Sequence, residues 1–470
     1  MIRFGTGGFR AVIGDEFTRR NIQLLSCGLS RKMKAENVAD KPVIIGYDRR
    51  FLSDVAARWA SEVFAAEGIK VQLIDEEVPT PLIMFVVKGE EAPYGLAITA
   101  SHNPSLYNGV KVFTQGGKDA DLPVTQDLEK YIDAIGDEPV DIIPYEEALE
   151  KGLVTIIYPR NEYVDSILSV LDIDAIKKCH LRVLLDPMYG VSRTCLQTVL
   201  LTCRCDIDVI NDRHDALFGG KLPAPSAETL HKLSDLVVEQ KYDLGIGTDG
   251  DADRVGLIDA NGTFVHPNDL LCLLYYYLVK YKGWHGPVVR NVATTHLLDR
   301  MAEGFGEQCY EVPVGFKYIS SKMNETNALI GGESSGGLTV RGHISGKDGI
   351  YASSLLVEMI CVIGKPLHEI LETIHKTYGK LYQAEFDCRF TVEDKAHLQK
   401  VIFEDKQLPD FGFEVDHVSY RDGCKVYFKN GGWIICRFSG TEPLIRIFSE
   451  MPSKEYADDL IATMRKFLDL

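Results

Sequence analysis

The sequence contains no pair of cysteines at CxxC spacing and no apolar run long enough to cross a membrane. Its eleven cysteines are scattered, which argues against a zinc site and predicts reduced thiols in the cytoplasm. The longest apolar stretch, LLCLLYYYLV from Leu270 to Val279, is about half the length that a membrane-spanning helix needs. The first residues, MIRFGTGGFR, are polar and glycine-rich, unlike a signal peptide. We therefore expect a cytoplasmic protein with no membrane partner.

Basic residues are also fewer than acidic residues. The sequence has 51 lysines and arginines against 68 aspartates and glutamates, which gives a formal charge of −17. A negative field of this size argues against general binding of nucleic acids, because their phosphates would be repelled. It leaves room for a local basic pocket that holds a small anion.

The length of 470 residues predicts three or four domains, because one hydrophobic core cannot grow that large. Apolar runs typical of buried strands alternate with helical patterns. The strand VIIGYD, for example, precedes a helix that we expect Ser53 to cap and Gly68 to end. This alternation predicts an α/β fold with mixed, mostly parallel sheets and helical crossovers.

Three segments resemble one another: GLAITASHNP, LGIGTDGDAD and LIGGESSGG. Each is a predicted buried strand that opens into a polar loop, and α/β sheets bind ligands at such strand ends. The last ninety residues differ, with a hairpin around Asn430 and a final helix capped by Ser453. We predict three similar α/β/α domains and a C-terminal α+β domain, with the ranges 1–145, 146–262, 263–378 and 379–470.

The segment TDGDADR places Asp249, Asp251 and Asp253 at alternate positions. In an extended loop their carboxylates converge and repel one another unless a hard cation lies between them, and Mg²⁺ suits such a site. An EF-hand is excluded because Arg254 and Ala260 occupy its glycine and glutamate positions. A dinucleotide site on the overlapping GxGxxG is excluded because three carboxylates would repel a pyrophosphate. A solvated acidic turn remains the alternative.

Two further segments suit a phosphorylated sugar. CRFSGTEPLIRI combines hydroxyls, exposed backbone N–H groups and two arginines, which together can hold a phosphate monoester. GGESSGGLTVRGHISGKDG surrounds a glutamate and a serine with glycines that let a ligand approach, although its GHISGKD stretch lacks the P-loop pattern. An ordinary surface turn and a structural glycine-rich turn are the respective alternatives.

The fourth segment, TASHNP, places Ser101 and His102 at the end of a strand. A serine hydrolase is not indicated, because Thr99 and Asn103 stand at the glycine positions of a GxSxG elbow. A serine that caps a following helix remains an alternative.

Taken in this order and at these intervals, TASHNP, DGDADR, GGESSGG and RFSGTEPLIR resemble the four signature loops of the α-D-phosphohexomutase superfamily. RFGTGGFRAVIG is similar to its N-terminal loop, and the resemblance covers essentially the whole chain. It is closest to the phosphoglucomutases, through VPVGFKYI and GHISGKDG. Ser334 and Gly337 depart from the commoner form of the third loop, so that the choice of sugar is less well defined.

The resemblance implies a role for each loop. Ser101 would carry the phosphoryl group and join Asp249, Asp251 and Asp253 in binding Mg²⁺. Lys111 would transfer a proton, and His102 would support the serine loop. The remaining implied roles are contacts to the phosphoserine for Arg10 and Arg254, to the sugar for Lys317, Glu333, Ser335, His343 and Lys347, and to the distal phosphate for Arg437, Ser439, Gly440, Thr441 and Arg446.

The implied reaction interconverts hexose 1-phosphate and hexose 6-phosphate, preferably of glucose, through a phosphoserine and glucose 1,6-bisphosphate. A phosphomannomutase or phosphoglucosamine mutase is the alternative sugar choice. A non-catalytic sugar-phosphate-binding relative and a Mg²⁺-dependent phosphatase are further alternatives. The only partner implied is a small sugar phosphate, bound by a monomer or homodimer.

Overall fold

The computed structural model describes residues 2–5, 7–438 and 444–470, without the side chains of 392 and 393. These residues form four sheets. The first unit contains the strands β1 (Phe9–Val12), β2 (Val43–Tyr47), β3 (Val71–Glu77), β4 (Tyr94–Ile98), β5 (Tyr107–Thr114), β6 (Lys118–Asp119) and β7 (Val154–Ile156), with the helices α1 (Arg19–Ala35), α2 (Ser53–Ala66), α3 (Thr80–Gly89), α4 (Leu122–Asp133) and α5 (Tyr145–Glu150).

The first sheet has the order β1-β5-β4-β2-β3-β7, with β6 paired to β5. Strands β4, β2, β3 and β7 run parallel, whereas β1 and β5 are antiparallel to their neighbours. Because β7 pairs with β3, this sheet extends past residue 145, where the sequence predicts the first domain to end. Strands β2 and β4 are buried along their whole length, which explains their apolar composition.

The predicted cap of α2 is wrong. The helix begins at Ser53, and the Ser53 hydroxyl donates to Asp48 Oδ1 at 3.0 Å instead of accepting from a helix N–H. The buried carboxylate of Asp48 therefore takes the hydroxyl that the sequence pattern assigns to capping.

The second unit repeats the theme on a smaller sheet, ordered β12-β11-β10-β8-β9, in which β10, β8 and β9 are parallel. A single 3₁₀ turn, Phe218–Gly220, lies in its long loop. Its elements are α6 (Arg160–Leu168), α7 (Ile173–Cys179), β8 (Arg182–Asp186), α8 (Arg193–Thr202), β9 (Asp206–Val209), α9 (His231–Gln240), β10 (Leu244–Thr248), β11 (Val255–Asp259) and β12 (Phe264–Val265).

The third unit has the sheet order β14-β13-β15-β16, with only β16 antiparallel. Its core is continuous with that of the second unit and with the α3 side of the first, which holds the three units together. Its elements are α10 (Pro267–Lys280), β13 (Val288–Asn291), α11 (Leu297–Phe305), β14 (Cys309–Val312), α12 (Phe316–Thr326), β15 (Ile330–Gly332), β16 (Leu338–Val340), α13 (Gly349–Ile363) and α14 (Leu367–Tyr378).

The fourth unit is an antiparallel sheet of order β17-β21-β20-β19-β18 with its own core. The β19–β20 hairpin turns at Asn430, and Ser453 accepts from the Tyr456 amide to cap the last helix, so both predictions are confirmed. Its elements are β17 (Tyr382–Arg389), α15 (Val392–Gln399), a π-helical turn (Lys400–Glu404), β18 (Val415–Ser419), β19 (Cys424–Phe428), β20 (Trp433–Phe438), β21 (Leu444–Met451) and α16 (Lys454–Leu468).

The predicted fold class is confirmed: three α/β/α units with mixed sheets precede an α+β unit. The third and fourth units meet through a small apolar cluster of Val292, Trp433 and Ile435. Among the described residues no single helix is long and apolar enough to cross a membrane. Helices α13 and α14, which are bent by 81° relative to each other, together have the length and composition of a membrane span.

Candidate active site

The serine loop follows β4 and meets the aspartate loop that follows β10. Ser101 is buried, and its φ of 51° lies in the left-handed region. Its amide donates to Thr99 Oγ1 at 2.8 Å, and its hydroxyl donates to Asp249 Oδ2 at 2.9 Å. His102 Nδ1 lies 3.3 Å from the same hydroxyl oxygen. The structure thus brings together two residues, Ser101 and Asp249, that are 148 positions apart in the sequence.

Sequence reasoning missed the residue that supports the serine loop from behind. Arg50, just beyond the end of β2, is buried and donates to the carbonyl oxygens of Ser101 and Asn103, both at 2.6 Å. It also donates to the carbonyls of Pro104 and Tyr107, both at 2.9 Å. The only available sequence signal is its place at the end of a buried strand, at the sheet edge where ligands bind.

Three carboxylates converge in the aspartate loop, and all three side chains are buried. One ligand atom from each of Asp249, Asp251 and Asp253 lies within 4.8 Å of the others. Among the described residues, Asp251 Oδ1 and Asp253 Oδ1 are buried without a hydrogen-bond partner. Buried carboxylate oxygens without donors are costly unless they bind a cation, so the donor set fits a hard ion such as Mg²⁺.

Basic side chains contact the other oxygens of the same carboxylates. Lys111 Nζ lies 2.6 Å from Asp251 Oδ2 and 2.6 Å from Asp253 Oδ2. Lys347 Nζ lies 2.9 Å from Asp253 Oδ2. Thr80, at the start of α3, donates its hydroxyl to Asp251 Oδ2 at 2.6 Å, a contact that the sequence did not indicate.

The close packing of charge shifts the pKa values of these groups. Burial and the neighbouring carboxylates of Asp253 and Asp251 raise the pKa of Asp249 well above its ordinary value. Burial would also raise the pKa of Asp253, but Lys111 and Lys347 outweigh it and hold that pKa well below the usual range. Burial lowers the pKa of Lys111, yet the carboxylates of Asp251 and Asp253 dominate and raise it overall.

A second group of basic residues lies near the serine loop. Arg10 donates to Asn103 Oδ1 at 2.6 Å, and Arg254 Nε lies 3.9 Å from Asp253 Oδ1. Burial and the nearby charge of Arg254 lower the pKa of Arg10. The same two arginines, after burial, lower the pKa of His102, which is therefore neutral at pH 7. Positive charges that crowd one another in this way favour an anion next to Ser101.

The sugar loop begins directly after β15. Glu333 is buried, and its Oε1 accepts from Asn291 Nδ2 at 3.2 Å and from the Gly315 amide at 3.1 Å. Ser335 is exposed two residues further on. Asp119 on β6 is a further acidic group here, because it interacts electrostatically with Lys347, Lys111 and Glu333. Burial raises its pKa, and the two lysines act in the opposite direction. Sequence reasoning missed Asp119.

Two residues predicted to contact the sugar have other contacts in the structure. Lys317 Nζ lies 5.4 Å from the centre of the Tyr318 ring, and burial lowers its pKa. His343 Nε2 lies 2.6 Å from Asp348 Oδ2, and its ring stacks on Tyr351 at 4.1 Å. Sugar binding by either residue stays a prediction.

Arg437 and Arg446, which the sequence predicts to hold the distal phosphate, lie opposite each other on β20 and β21. Arg437 Nη2 lies 3.4 Å from Asp422 Oδ1, and Arg446 Nε lies 3.8 Å from Asp387 Oδ2. Two guanidinium groups on facing strand positions are suited to hold one anion between them. Ser439, Gly440 and Thr441, which the sequence predicts for the same phosphate, lie outside the described residues.

Comparisons with known proteins agree with this arrangement of four units. The four domain models of the phosphoglucomutase/phosphomannomutase family match the chain: the alpha/beta/alpha domains I, II and III match residues 1–138, 161–262 and 266–378, and the C-terminal domain matches 389–467.

Similar proteins match this chain over nearly its full length. A phosphoglucomutase/phosphomannomutase from Thermococcus kodakarensis is 30% identical over 99% of this chain and 98% of its own. A phosphoglucosamine/phosphogalactosamine mutase from Sulfurisphaera tokodaii is 28% identical over 99% of both. A crystal structure assigned as a phosphomannomutase from Thermus thermophilus has a TM-score of 0.86 and 31% identity, and the match covers 100% of this chain and 99% of that one.

Proposed function

Because the chain belongs to the phosphoglucomutase/phosphomannomutase family and is a phosphohexomutase, we propose that Ser101 carries the phosphoryl group. The reaction would interconvert hexose 1-phosphate and hexose 6-phosphate through a hexose 1,6-bisphosphate. The observation that carries this proposal is the buried Ser101 hydroxyl, 2.9 Å from Asp249 and at the edge of a cluster of three aspartates and two lysines.

The residues suit phosphoryl transfer, which depends on positioning and on neutralising charge. Asp249, Asp251 and Asp253, together with the phosphate on Ser101, would hold Mg²⁺, which supplies positive charge to the transferring group when bound. Arg10 and Arg254 would neutralise the oxygens of the same phosphate.

Each half-reaction would move one phosphoryl group. A sugar hydroxyl forms a new bond to phosphorus as the bond between phosphorus and Ser101 Oγ breaks, and the hydroxyl proton ends on Ser101 Oγ. We propose Lys111 as the group that transfers it: the ammonium would give a proton to the serine oxygen as it takes one from the sugar hydroxyl. The bisphosphate then turns over, and its second phosphate returns to the serine oxygen. Glu333 would bind sugar hydroxyls, while Arg437 and Arg446 would hold the phosphate that is not reacting.

For the sugar we propose glucosamine, with glucose or mannose as the second candidate. Asp119 and Glu333 place two carboxylates near the sugar loop, and such groups suit the ammonium at C2 of glucosamine as well as a hydroxyl. A relative named for phosphoglucosamine also favours this choice. A relative named phosphoglucomutase/phosphomannomutase supports the second candidate. Between glucose and mannose, the sequence favours glucose through Lys317, His343 and Lys347.

The role of Ser101 can be tested by mass spectrometry of the intact protein after incubation with a hexose 1,6-bisphosphate. We expect one added phosphate on the wild type and none on Ser101→Ala, which should also lose nearly all isomerisation. Ser105→Ala, from the same loop, is the matched control and should behave as the wild type. Near-normal turnover by Ser101→Ala would refute the proposal, and release of free phosphate instead of isomer would favour a phosphatase.

The sugar can be tested by comparing kcat/KM for the 1-phosphates of glucosamine, glucose and mannose at one Mg²⁺ concentration. We expect the highest value for glucosamine 1-phosphate, and Asp119→Asn should lower that value more than the value for glucose. A higher wild-type value for glucose or mannose would overturn the sugar choice and leave the mutase mechanism intact.

We also propose that the protein works in the cytoplasm. All eleven cysteines are free thiols, and buried thiols such as Cys195 and Cys436 have raised pKa values because of burial. Thiols of this kind are typical of a reducing compartment. Whether the protein is a monomer or a homodimer stays a prediction.

A further inference from the structure

A cavity of about 660 Å³ lies where the first three units meet, at some distance from the Ser101 site. Its walls come from α3, from α6 and from the segments around residues 284 and 342. Thr80, at the start of α3, contacts Asp251 of the active site, whereas Lys88, at the end of α3, lines the cavity. At 1.5 Å per residue these two ends are about 12 Å apart, so the cavity lies away from Ser101. His343, one of the residues predicted to contact the sugar, also lines it.

Aromatic side chains form the apolar walls of this cavity. They are Phe85, Trp284 and Tyr351. Packing fixes two of them: Phe85 meets Tyr163 edge-on at 5.7 Å, and the buried Tyr351 ring stacks on His343. Rigid aromatic walls suit a flat ring, which gains stacking contact without a large loss of side-chain freedom.

The charge of the lining is unusual for so acidic a chain. Among the described residues that line the cavity, two are cationic, Lys88 and Arg341, and none is a carboxylate. Lys88 Nζ donates to the His343 carbonyl, and Arg341 donates to the carbonyls of Asn327 and His285, both at 2.8 Å. Neither cation forms an ion pair with a carboxylate in the described part of the chain, so both charges are available to an anion.

Hydroxyl groups complete the lining. Ser166 and Ser169 lie in and just after α6, and each donates its hydroxyl hydrogen to a backbone carbonyl at 2.7 Å. Their oxygens remain able to accept hydrogen bonds from a ligand. The cavity thus offers positive charge, aromatic surface and hydroxyl acceptors together, which is the composition of a small-molecule site.

We propose that this cavity binds a nucleoside monophosphate, with its phosphate on Lys88 and Arg341 and its base against the aromatic walls. The ribose hydroxyls would then donate to Ser166 and Ser169. The volume falls within the usual range for a ligand of this size. A hexose phosphate shares the anionic group but lacks the flat base that Phe85, Trp284 and Tyr351 would stack on.

The test is calorimetric titration of the full-length protein with AMP, followed in parallel by the tryptophan fluorescence, to which Trp284 contributes. We expect saturable binding of one AMP per chain. Lys88→Gln should weaken it tenfold or more, because a charge-assisted contact is lost, and Trp284→Leu should weaken it independently through the lost stacking. Lys376→Gln, another lysine in the last turn of a helix, is the matched control and should leave the affinity unchanged.

Three related probes identify the ligand class. Adenosine and ribose 5-phosphate should each bind more weakly than AMP, because each lacks one of the two recognised parts. Glucose 6-phosphate should bind with an affinity that Lys88→Gln does not change, and basal isomerisation by that variant should equal that of the wild type. The proposal would be overturned by absent AMP binding, by equal AMP affinity in Lys88→Gln and Lys376→Gln, or by Lys88-dependent binding of glucose 6-phosphate.

Discussion

Arg50 Nη2 lies 2.6 Å from the carbonyl oxygen of Ser101, and the same side chain donates to three further carbonyls of the serine loop. The guanidinium is itself held between Asp48, 3.5 Å away, and the ring of Phe218, 4.8 Å away. A planar group with five fixed donors can satisfy four carbonyls at once. Arg50 therefore fixes the backbone that carries Ser101 in its left-handed conformation.

Replacing Arg50 with lysine should shift the serine loop while the rest of the fold stays intact. A lysine keeps the charge but cannot reach four carbonyls, so we expect Arg50→Lys to lower kcat by about 10- to 100-fold, the effect of misplacing a reacting group. KM should change little, because Arg50 contacts backbone and not the sugar. The measurement is steady-state kinetics together with the rate at which a hexose bisphosphate phosphorylates Ser101.

The matched control is Arg49→Lys, whose side chain contacts Glu77 and the Asp212 carbonyl instead of the serine loop. It should retain wild-type kinetics. Equal loss in both variants, or a raised KM with unchanged kcat in Arg50→Lys, would contradict a positioning role.

Arg50 also shows where sequence reasoning ends. Ser101, Asp249 and Glu333 are predictable because each lies at the end of a buried strand within a distinctive polar segment. The hydrogen bonds from Arg50 reach backbone carbonyls that lie 51 to 57 residues further along the chain, and backbone carries no sequence signal. Thr80 and Asp119 cannot be predicted as site residues for a related reason, since only the folded chain brings them to the site.

The fold itself is easier to predict than the site. Alternating apolar runs and helices indicate parallel α/β units, because each buried strand must be apolar on both faces. The limits of the units are less predictable. Strand β7 has only three residues, one of them exposed, yet it extends the first sheet beyond residue 145. A strand this short has no periodic pattern.

Asp253 offers a direct test of the metal site. Its Oδ2 pairs with Lys111 and Lys347, and its Oδ1 has no hydrogen-bond partner among the described residues. Asp253→Asn removes one charged ligand, so we expect the Mg²⁺ dissociation constant measured by calorimetry to rise at least tenfold. The Mg²⁺ concentration for half-maximal isomerisation should rise in parallel, and a chelator should abolish activity in the wild type.

Asp235→Asn changes an exposed aspartate on α9 and serves as the control for the loss of one negative charge. It should leave Mg²⁺ binding unchanged. If Asp253→Asn binds Mg²⁺ as tightly as this control, the metal lies elsewhere.

Arg437 and Arg446 should contribute binding energy far from the reacting phosphate. Because they face each other across β20 and β21, both guanidinium groups can contact one anion. Arg437→Lys loses forked hydrogen bonding, and we expect kcat/KM to fall by about 10- to 100-fold, the range for a charge-assisted contact. Inorganic phosphate should also raise the melting temperature of the wild type more than that of the variant.

Arg389→Lys changes an exposed arginine on β17 of the same sheet and should retain both properties. An unchanged kcat/KM in Arg437→Lys would place the distal phosphate on other residues.

His296 links the third and fourth units. Its Nε2 accepts from Lys425 Nζ at 3.0 Å, and its ring lies 5.6 Å from that of Trp433. Burial, followed by the charges of Arg290 and Lys425, lowers the pKa of His296 to about 4. The carboxylates of Glu311 and Asp299 also face His296 and raise its pKa, but by less than burial and the two cations lower it.

The sign of the pH effect follows from this lowered pKa. As the pH falls below the ordinary histidine value of about 6.5, an unfolded His296 takes up a proton before the folded one does. Stability present above pH 6.5 is therefore lost progressively as the pH falls towards 4. For a folded pKa of about 4, the loss between pH 7 and pH 5 is about 2 kcal/mol.

Other groups titrate over the same range, so the prediction concerns a difference between proteins. We expect the wild type to lose about 2 kcal/mol more unfolding free energy than His296→Gln between pH 7 and pH 5, since glutamine cannot titrate. Urea unfolding is followed by tryptophan fluorescence, to which Trp433, buried beside His296, contributes. His397→Gln, which removes an exposed histidine of the fourth unit, should keep the wild-type dependence. Parallel pH dependence in the wild type and His296→Gln would show that His296 is protonated equally in the folded and unfolded chains.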